Sequence, residues 1–179
     1  MASDGFQVLI DSQRIQTRVA ELGRAISRDY QQRDLHLVGV LRGAYQFTHD
    51  LSGVLEVPHS VDYISVASYG ESTRSSGNVQ LRMNVKYPVT GKDVLIVDDI
   101  IDTGTTLRWL TEYMESLRPS SVRTCCFLDK PSRRKLSLAT DYVGFPIDDL
   151  FVVGYGLDYQ EKYRELPFIS WVSPREVLV

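Results

Sequence analysis

Cysteine is nearly absent: the 179 residues hold two, Cys125 and Cys126, side by side in an apolar run. Neighbours along a strand point to opposite faces, which places the pair badly for a mutual disulfide. Two core thiols in a reducing compartment are therefore expected, and a redox or zinc site is not. An excess of either charge is missing too. Twenty Lys and Arg stand against 23 Asp and Glu, a net charge of −3, so no global basic field draws the chain onto nucleic acid or anionic lipid. No apolar run is longer than a strand, so no membrane span is expected. The start, MASDGFQVLI, has neither the basic beginning nor the apolar core of a signal peptide, and a cytoplasmic location is expected. His36, His49 and His59 share no metal-ligand spacing and read as scattered polar residues. Repeats, low-complexity tracts and linkers are also lacking, and the length suits one domain over residues 1–179.

What the chain does contain is an alternation of helical and strand patterns. Asp11 or Ser12 can cap a helix in which Ile15, Val19, Leu22 and Ile26 recur at helical spacing. LHLVGVL (35–41) reads as a buried strand, residues 44–55 as a second helix, and SVDYISVASY (60–69) as β-like, leading into the polar stretch GESTRSSGN. VQLRMNV (79–85) alternates as a half-exposed strand does. A strand over 93–98, a helix over Thr106–Leu117 stopped by Pro119, and apolar strands at 122–128, 150–155 and 168–172 complete the pattern. Several of these strands are apolar throughout. That indicates an α/β fold with a mainly parallel central sheet flanked by helices.

One stretch is chemically loaded. VLIVDDIIDTGTTL (94–107) runs a buried strand into Asp98, Asp99 and Asp102, then into threonines around a glycine. In open α/β sheets the ligand crevice lies outside the carboxyl ends of the strands. The start of the helix that follows offers unpaired N–H groups and a positive dipole end, a seat for phosphate. Gly104 permits close backbone approach, and Thr103, Thr105 and Thr106 add hydroxyl donors. The lysine of a P-loop is missing. The acidic pair can instead hold ribose hydroxyls, magnesium, or both. A lone aspartate here would be read as a solvated helix cap; two aspartates, a third three residues on, and D-T-G-T-T make that reading much weaker.

This stretch closely resembles the phosphoribosyl pyrophosphate motif of the type I phosphoribosyltransferases, and its DDIIDTG form resembles the hypoxanthine-guanine phosphoribosyltransferases. LRGAY (41–45), SYGES (68–72), DKPSRRK (129–135) and FVVGYGLDYQEKYRELPFI (151–169) follow in that family's order. The resemblance implies the type I fold, with a small hood region and a mobile loop. It also implies transfer of a phosphoribosyl group from phosphoribosyl pyrophosphate to N9 of a 6-oxopurine with Mg2+, yielding IMP or GMP.

It further implies residue roles. Asp102 matches the general base that takes the proton from purine N7. Asp98, Asp99, Asp102, Thr103, Gly104, Thr105 and Thr106 match the phosphoribosyl-phosphate site, with Asp98, Asp99 and Asp158 on the metal side. Arg42 and Gly43 match the pyrophosphate loop, where the family often carries lysine and a non-proline cis peptide, here at Leu41–Arg42. Arg164 matches a second pyrophosphate contact, although a surface ion pair within QEKYRE competes with that reading. Lys130, Phe151, Val152 and Asp158 match the purine site. An ammonium only donates, so Lys130 suits a carbonyl at the six-position and opposes the amino group of adenine. Ser68 and Tyr69 match the tip of the mobile loop that shields the site from water. A homodimer or homotetramer is expected, without nucleic acid or membrane partners. Two other readings stand beside this one. A regulator that senses phosphoribosyl pyrophosphate while binding nucleic acid should show a basic face, yet the only dense basic cluster is PSRRK, beside Lys130. A transferase for adenine, orotate or uracil is opposed by Lys130 and FVVGYGLDY.

Overall fold

The structure is a computed structural model, and it describes residues 7–68, 79–136 and 139–172. Strand β1 (Gln7–Ile10) leads to helix α1 (Ser12–Asp29), whose N-cap is Asp11: its carboxylate accepts the Arg14 N–H at 2.8 Å. The rest follows as β2 (Leu35–Leu41), α2 (Tyr45–Val54), β3 (His59–Ser68), β4 (Val79–Met83), β5 (Asp93–Ile101), α3 (Thr105–Ser116), β6 (Ser121–Asp129), β7 (Tyr142–Pro146), β8 (Val152–Val153) and β9 (Ile169–Trp171). A single 3-10 turn, Pro131–Arg133, follows β6.

Six strands form one sheet in the order β4-β3-β2-β5-β6-β7, all parallel except the antiparallel edge strand β4. From β2 the chain moves to one side, through α2 to β3. From β5 it moves to the other, through α3 to β6. The carboxyl ends of β2 and β5 therefore border the switch point, where such sheets form their ligand crevice. β1, β9 and β8 make a separate antiparallel sheet, the hood.

Alternation along the strands feeds two cores. Leu35 and Leu37, Leu95 and Val97, and Cys125 and Phe127 face α1 and α2; Val38 and Val40, Val94 and Ile96, and Cys126 face α3. The two thiols thus lie on opposite faces, as their adjacency required, and burial pushes both above their ordinary titration range, leaving them inert. Phe127 centres the first core, with Phe47, Phe145 and Tyr155 at ring-centroid distances of 5.1, 5.6 and 4.7 Å.

Gly39 lets α2 press onto the sheet: a Cβ there would stand 2.6 Å from Thr48 Oγ1 and 2.9 Å from the Tyr63 ring. We expect Gly39→Ala to destabilise the fold by about 1–3 kcal/mol, read as a lower urea midpoint at unchanged slope.

Some sequence expectations shift here. The strand expected over 150–155 is reduced to Val152–Val153, because Gly154 (φ 99°), Tyr155 (φ 49°) and Gly156 (φ 99°) turn the chain. β1 and β7 were not expected, and the N-cap of α3 is left-handed Gly104 (φ 89°). His36 is fully buried, bonded through Nδ1 to Ser60 Oγ at 2.6 Å, so it is a core residue and not a scattered polar one.

Candidate active site

At the end of β2 the Leu41–Arg42 peptide is cis and Gly43 follows. A Cβ on Gly43 would overlap the Asp99 carboxylate, and one on Gly156 would overlap the Gly43 carbonyl. The Arg42-Gly43 turn is thus held between the end of β5 and the loop after β8, with no room for a side chain at either glycine.

Asp98 is buried at the end of β5, while Asp99 beside it is partly exposed. The Asp99 N–H donates to Asp98 Oδ1 at 3.0 Å, and the Ile100 N–H donates to Asp99 Oδ1 at 2.7 Å. Burial, then the neighbouring Asp99 charge, pushes the Asp98 carboxyl well above the usual carboxylate range. Burial also raises Asp99, against hydrogen bonds that favour its charged form. A crowded carboxylate pair of this kind favours a cation, and its hard oxygen donors suit magnesium. That ion commonly takes one or two carboxylates and completes its shell with water and substrate oxygens. Among the described residues, no three Asp, Glu, His or Cys side chains converge into a preformed metal cage. Asp158 is engaged elsewhere: Oδ1 pairs with Arg164 Nη2 at 2.8 Å, and Oδ2 accepts the Glu161 N–H at 2.9 Å.

Beyond the pair, Asp98, Asp102, Thr103, Gly104 and Thr106 line one small cavity at the start of α3. The Thr103 and Thr105 hydroxyls lie 3.1 Å apart, the Thr105 N–H donates to Thr103 Oγ1 at 3.4 Å, and the N-cap of α3, Gly104, has no side chain to occupy the amides that follow. This is an anion seat of backbone N–H and hydroxyl groups next to carboxylates.

The adjacent strand β6 delivers Lys130 to the same end of the sheet, where its N–H donates to the Ile101 carbonyl at 3.0 Å. Lys130 and Asp102 therefore leave neighbouring strands side by side. Their side chains are linked. Lys130 Nζ lies 3.5 Å from Asp149 Oδ1, and Arg133 Nη1 donates to Asp149 Oδ2 at 3.3 Å. Arg133 also forks onto Asp102, with Nε to Oδ1 at 2.7 Å and Nη2 to Oδ2 at 3.2 Å.

Across the crevice the two arginines expected at pyrophosphate converge on one carboxylate. Arg42 Nη1 donates to Glu161 Oε2 at 2.6 Å, and Arg164 Nη2 approaches the same atom at 3.5 Å while its Nη1 donates to the Gly156 carbonyl at 2.7 Å. Phe151 is 46% exposed, its ring edge-on to Tyr159 at 5.6 Å, so it is a surface aromatic rather than core. The Val172 N–H bonds the Phe151 carbonyl, and Val152 opposes Trp171. By antiparallel alternation, the amide and carbonyl of Val152 then face away from β9, off the open edge of β8. Ser68 ends β3, and Tyr69 with the stretch 70–78 lies outside the described residues.

Three residues in these networks, Arg133, Asp149 and Glu161, carried no assigned role in the sequence. Arg133 had a signal, its place in the only dense basic cluster. Glu161 had one as well, as an acid within QEKYRE. Asp149 had none beyond its position before Phe151.

Comparison with known proteins agrees with this arrangement. The family model described as "Phosphoribosyl transferase domain" matches residues 8–160. The hypoxanthine-guanine phosphoribosyltransferase of Mycobacterium tuberculosis strain H37Rv is 44% identical over 174 residues, 94% of this chain and 86% of that protein. The hypoxanthine phosphoribosyltransferase of Escherichia coli K12 is 43% identical over 168 residues, 93% of this chain and 94% of that one. A crystal structure of a Staphylococcus aureus hypoxanthine phosphoribosyltransferase superposes with a TM-score of 0.93 at 42% identity, over 98% of this chain and 97% of the other. Matched by that family model over most of its length and by these relatives at 42–44% identity, this chain belongs to the phosphoribosyl transferase family, among its hypoxanthine-guanine phosphoribosyltransferases.

Proposed function

We propose that the chain transfers the 5-phosphoribosyl group from phosphoribosyl pyrophosphate to N9 of hypoxanthine or guanine, releasing pyrophosphate and forming IMP or GMP for purine salvage. The observation that carries the choice of acceptor is the emergence of Lys130 and Asp102 side by side from β6 and β5. On a 6-oxopurine, O6 and N7 lie on one edge. An ammonium that donates to O6 and a carboxylate that accepts from N7–H read that edge together.

In this reading the amides and hydroxyls of Thr103, Gly104, Thr105 and Thr106 hold the 5-phosphate, and Asp98 and Asp99 hold the ribose hydroxyls. Phe151 stacks on the purine, and the Val152 backbone meets its two-position edge. As the bond from ribose C1 to the pyrophosphate oxygen breaks and the N9–C1 bond forms, the N7 proton passes to an Asp102 oxygen. The leaving pyrophosphate is taken up by the Gly43 N–H, Arg42 and Arg164. Asp98 and Asp99 would hold magnesium, which when bound would supply positive charge against the pyrophosphate. Asp158 holds Arg164 through their 2.8 Å ion pair. The loop at Ser68 and Tyr69 covers the sugar and keeps water from it. The working assembly in this reading is a homodimer or homotetramer; α2, which leaves Tyr45 and Val54 exposed, is available to an interface.

Nucleotide formation from phosphoribosyl pyrophosphate and magnesium, with hypoxanthine, guanine, xanthine and adenine in parallel, tests this. Turnover of hypoxanthine or guanine with adenine inert is expected. Adenine turnover would overturn the acceptor, and no turnover with any base would overturn the activity.

Glu161 occupies the arginines that pyrophosphate would use. Because the Arg42–Glu161 pair is mostly exposed, it is weak. Glu161→Gln is expected to lower the KM for phosphoribosyl pyrophosphate by about twofold to threefold, with kcat unchanged.

A further inference from the structure

The basic run PSRRK has no part in the chemistry above, yet its two arginines go to different acids. Arg134 pairs with Asp129, while Arg133 reaches Asp102 and Asp149. The outcome is an unbroken chain of alternating charge, Asp102–Arg133–Asp149–Lys130, with contacts of 2.7, 3.3 and 3.5 Å. Its two ends are the groups that face purine N7 and O6, which are neighbouring positions on one edge of the base. Its middle closes the same path on the protein side.

We propose that Arg133 is a positioning residue, which with Asp149 fixes the plane of the Asp102 carboxylate and its spacing from Lys130. The inference rests on the roles given to Asp102 and Lys130 above. The planar guanidinium uses both Asp102 oxygens at once, so it sets the rotation of the carboxylate about its last bond. Each oxygen keeps a second lone pair, and those remaining lone pairs are what N7–H meets. Lysine would keep the charge but not the fork. Both partners are about two-fifths exposed, at 39% and 43%, so the pair adds little to stability and Arg133 variants should fold.

The test is steady-state kinetics and thermal unfolding of the full chain, as wild type, Arg133→Ala and Arg133→Lys, together with Asp102→Asn alone and combined with Arg133→Ala. Arg133→Ala is expected to reduce kcat/KM for hypoxanthine on the order of tenfold, with the KM for phosphoribosyl pyrophosphate and Tm unchanged. Arg133→Lys should recover little of that loss. In the Asp102→Asn background, removing Arg133 should cost nothing further, because its effect passes through Asp102. Wild-type kinetics in Arg133→Ala, a faster enzyme, or an equal loss in both backgrounds would overturn the assignment. An inert wild type would overturn the proposed function and this assignment with it, whereas an active wild type indifferent to Arg133→Ala overturns the assignment alone.

Discussion

Asp102→Asn is expected to lower kcat by about a hundredfold to ten-thousandfold, the range for removal of a general base. The substitution is isosteric and half-exposed, so the fold has no reason to change. The Asp98–Asp99 pair and the Gly104 turn that opens α3 are untouched, and phosphoribosyl pyrophosphate should bind nearly as before. What is lost is the capacity to take a proton, since an amide oxygen is far less basic than a carboxylate. Steady-state turnover with hypoxanthine, beside calorimetric titration of phosphoribosyl pyrophosphate in magnesium, separates the two effects. An unchanged kcat would remove Asp102 from the role of base. Weakened binding at intact kcat would make it a ribose contact instead.

Lys130→Ala is expected to cut kcat/KM for hypoxanthine and guanine by about tenfold to a hundredfold or more, the worth of a hydrogen bond from a charged donor. Lys130 is only 9% exposed, and the acid beside it, Asp149, is shared with Arg133. Truncation therefore leaves Asp149 still paired, and the loss falls on purine recognition rather than on folding. Kinetics with hypoxanthine, guanine and adenine would show the preference for 6-oxopurines shrinking. Untouched oxopurine kinetics would sink the recognition role.

The central sheet was legible because its strands are continuous apolar runs and its helices carry helical spacing with a cap at Asp11. The hood was legible only in part. The strand expected over 168–172 is β9, whereas β1, whose Gln7 pairs with Trp171 from the far end of the chain, is four residues long and has no room for a pattern. β7 is short and ends in Pro146, and no strand was expected there. For the site, the sequence placed the acidic turn at a strand end because the residues are contiguous. It could not pair Arg133 with Asp102, 31 positions earlier, since a basic run has many acids within reach and only the fold selects one. Nor could it show that Glu161 bridges Arg42 and Arg164, since that contact depends on the turn after Gly156 folding back over Gly43.

The divergence of the chain at β2 and β5 has a consequence for redesign. Most groups assigned to the leaving pyrophosphate belong to the β2 turn and the loop after β8, whereas those assigned to the acceptor lie on β6, the end of the β5 turn and the edge of the hood. The groups proposed for donor activation and for acceptor choice thus sit on largely separate parts of the backbone, bordering one crevice. A new nucleobase preference can be sought by rewriting the exit of β6 and the edge of β8 alone, with the machinery for the sugar and its phosphates kept as a fixed cassette.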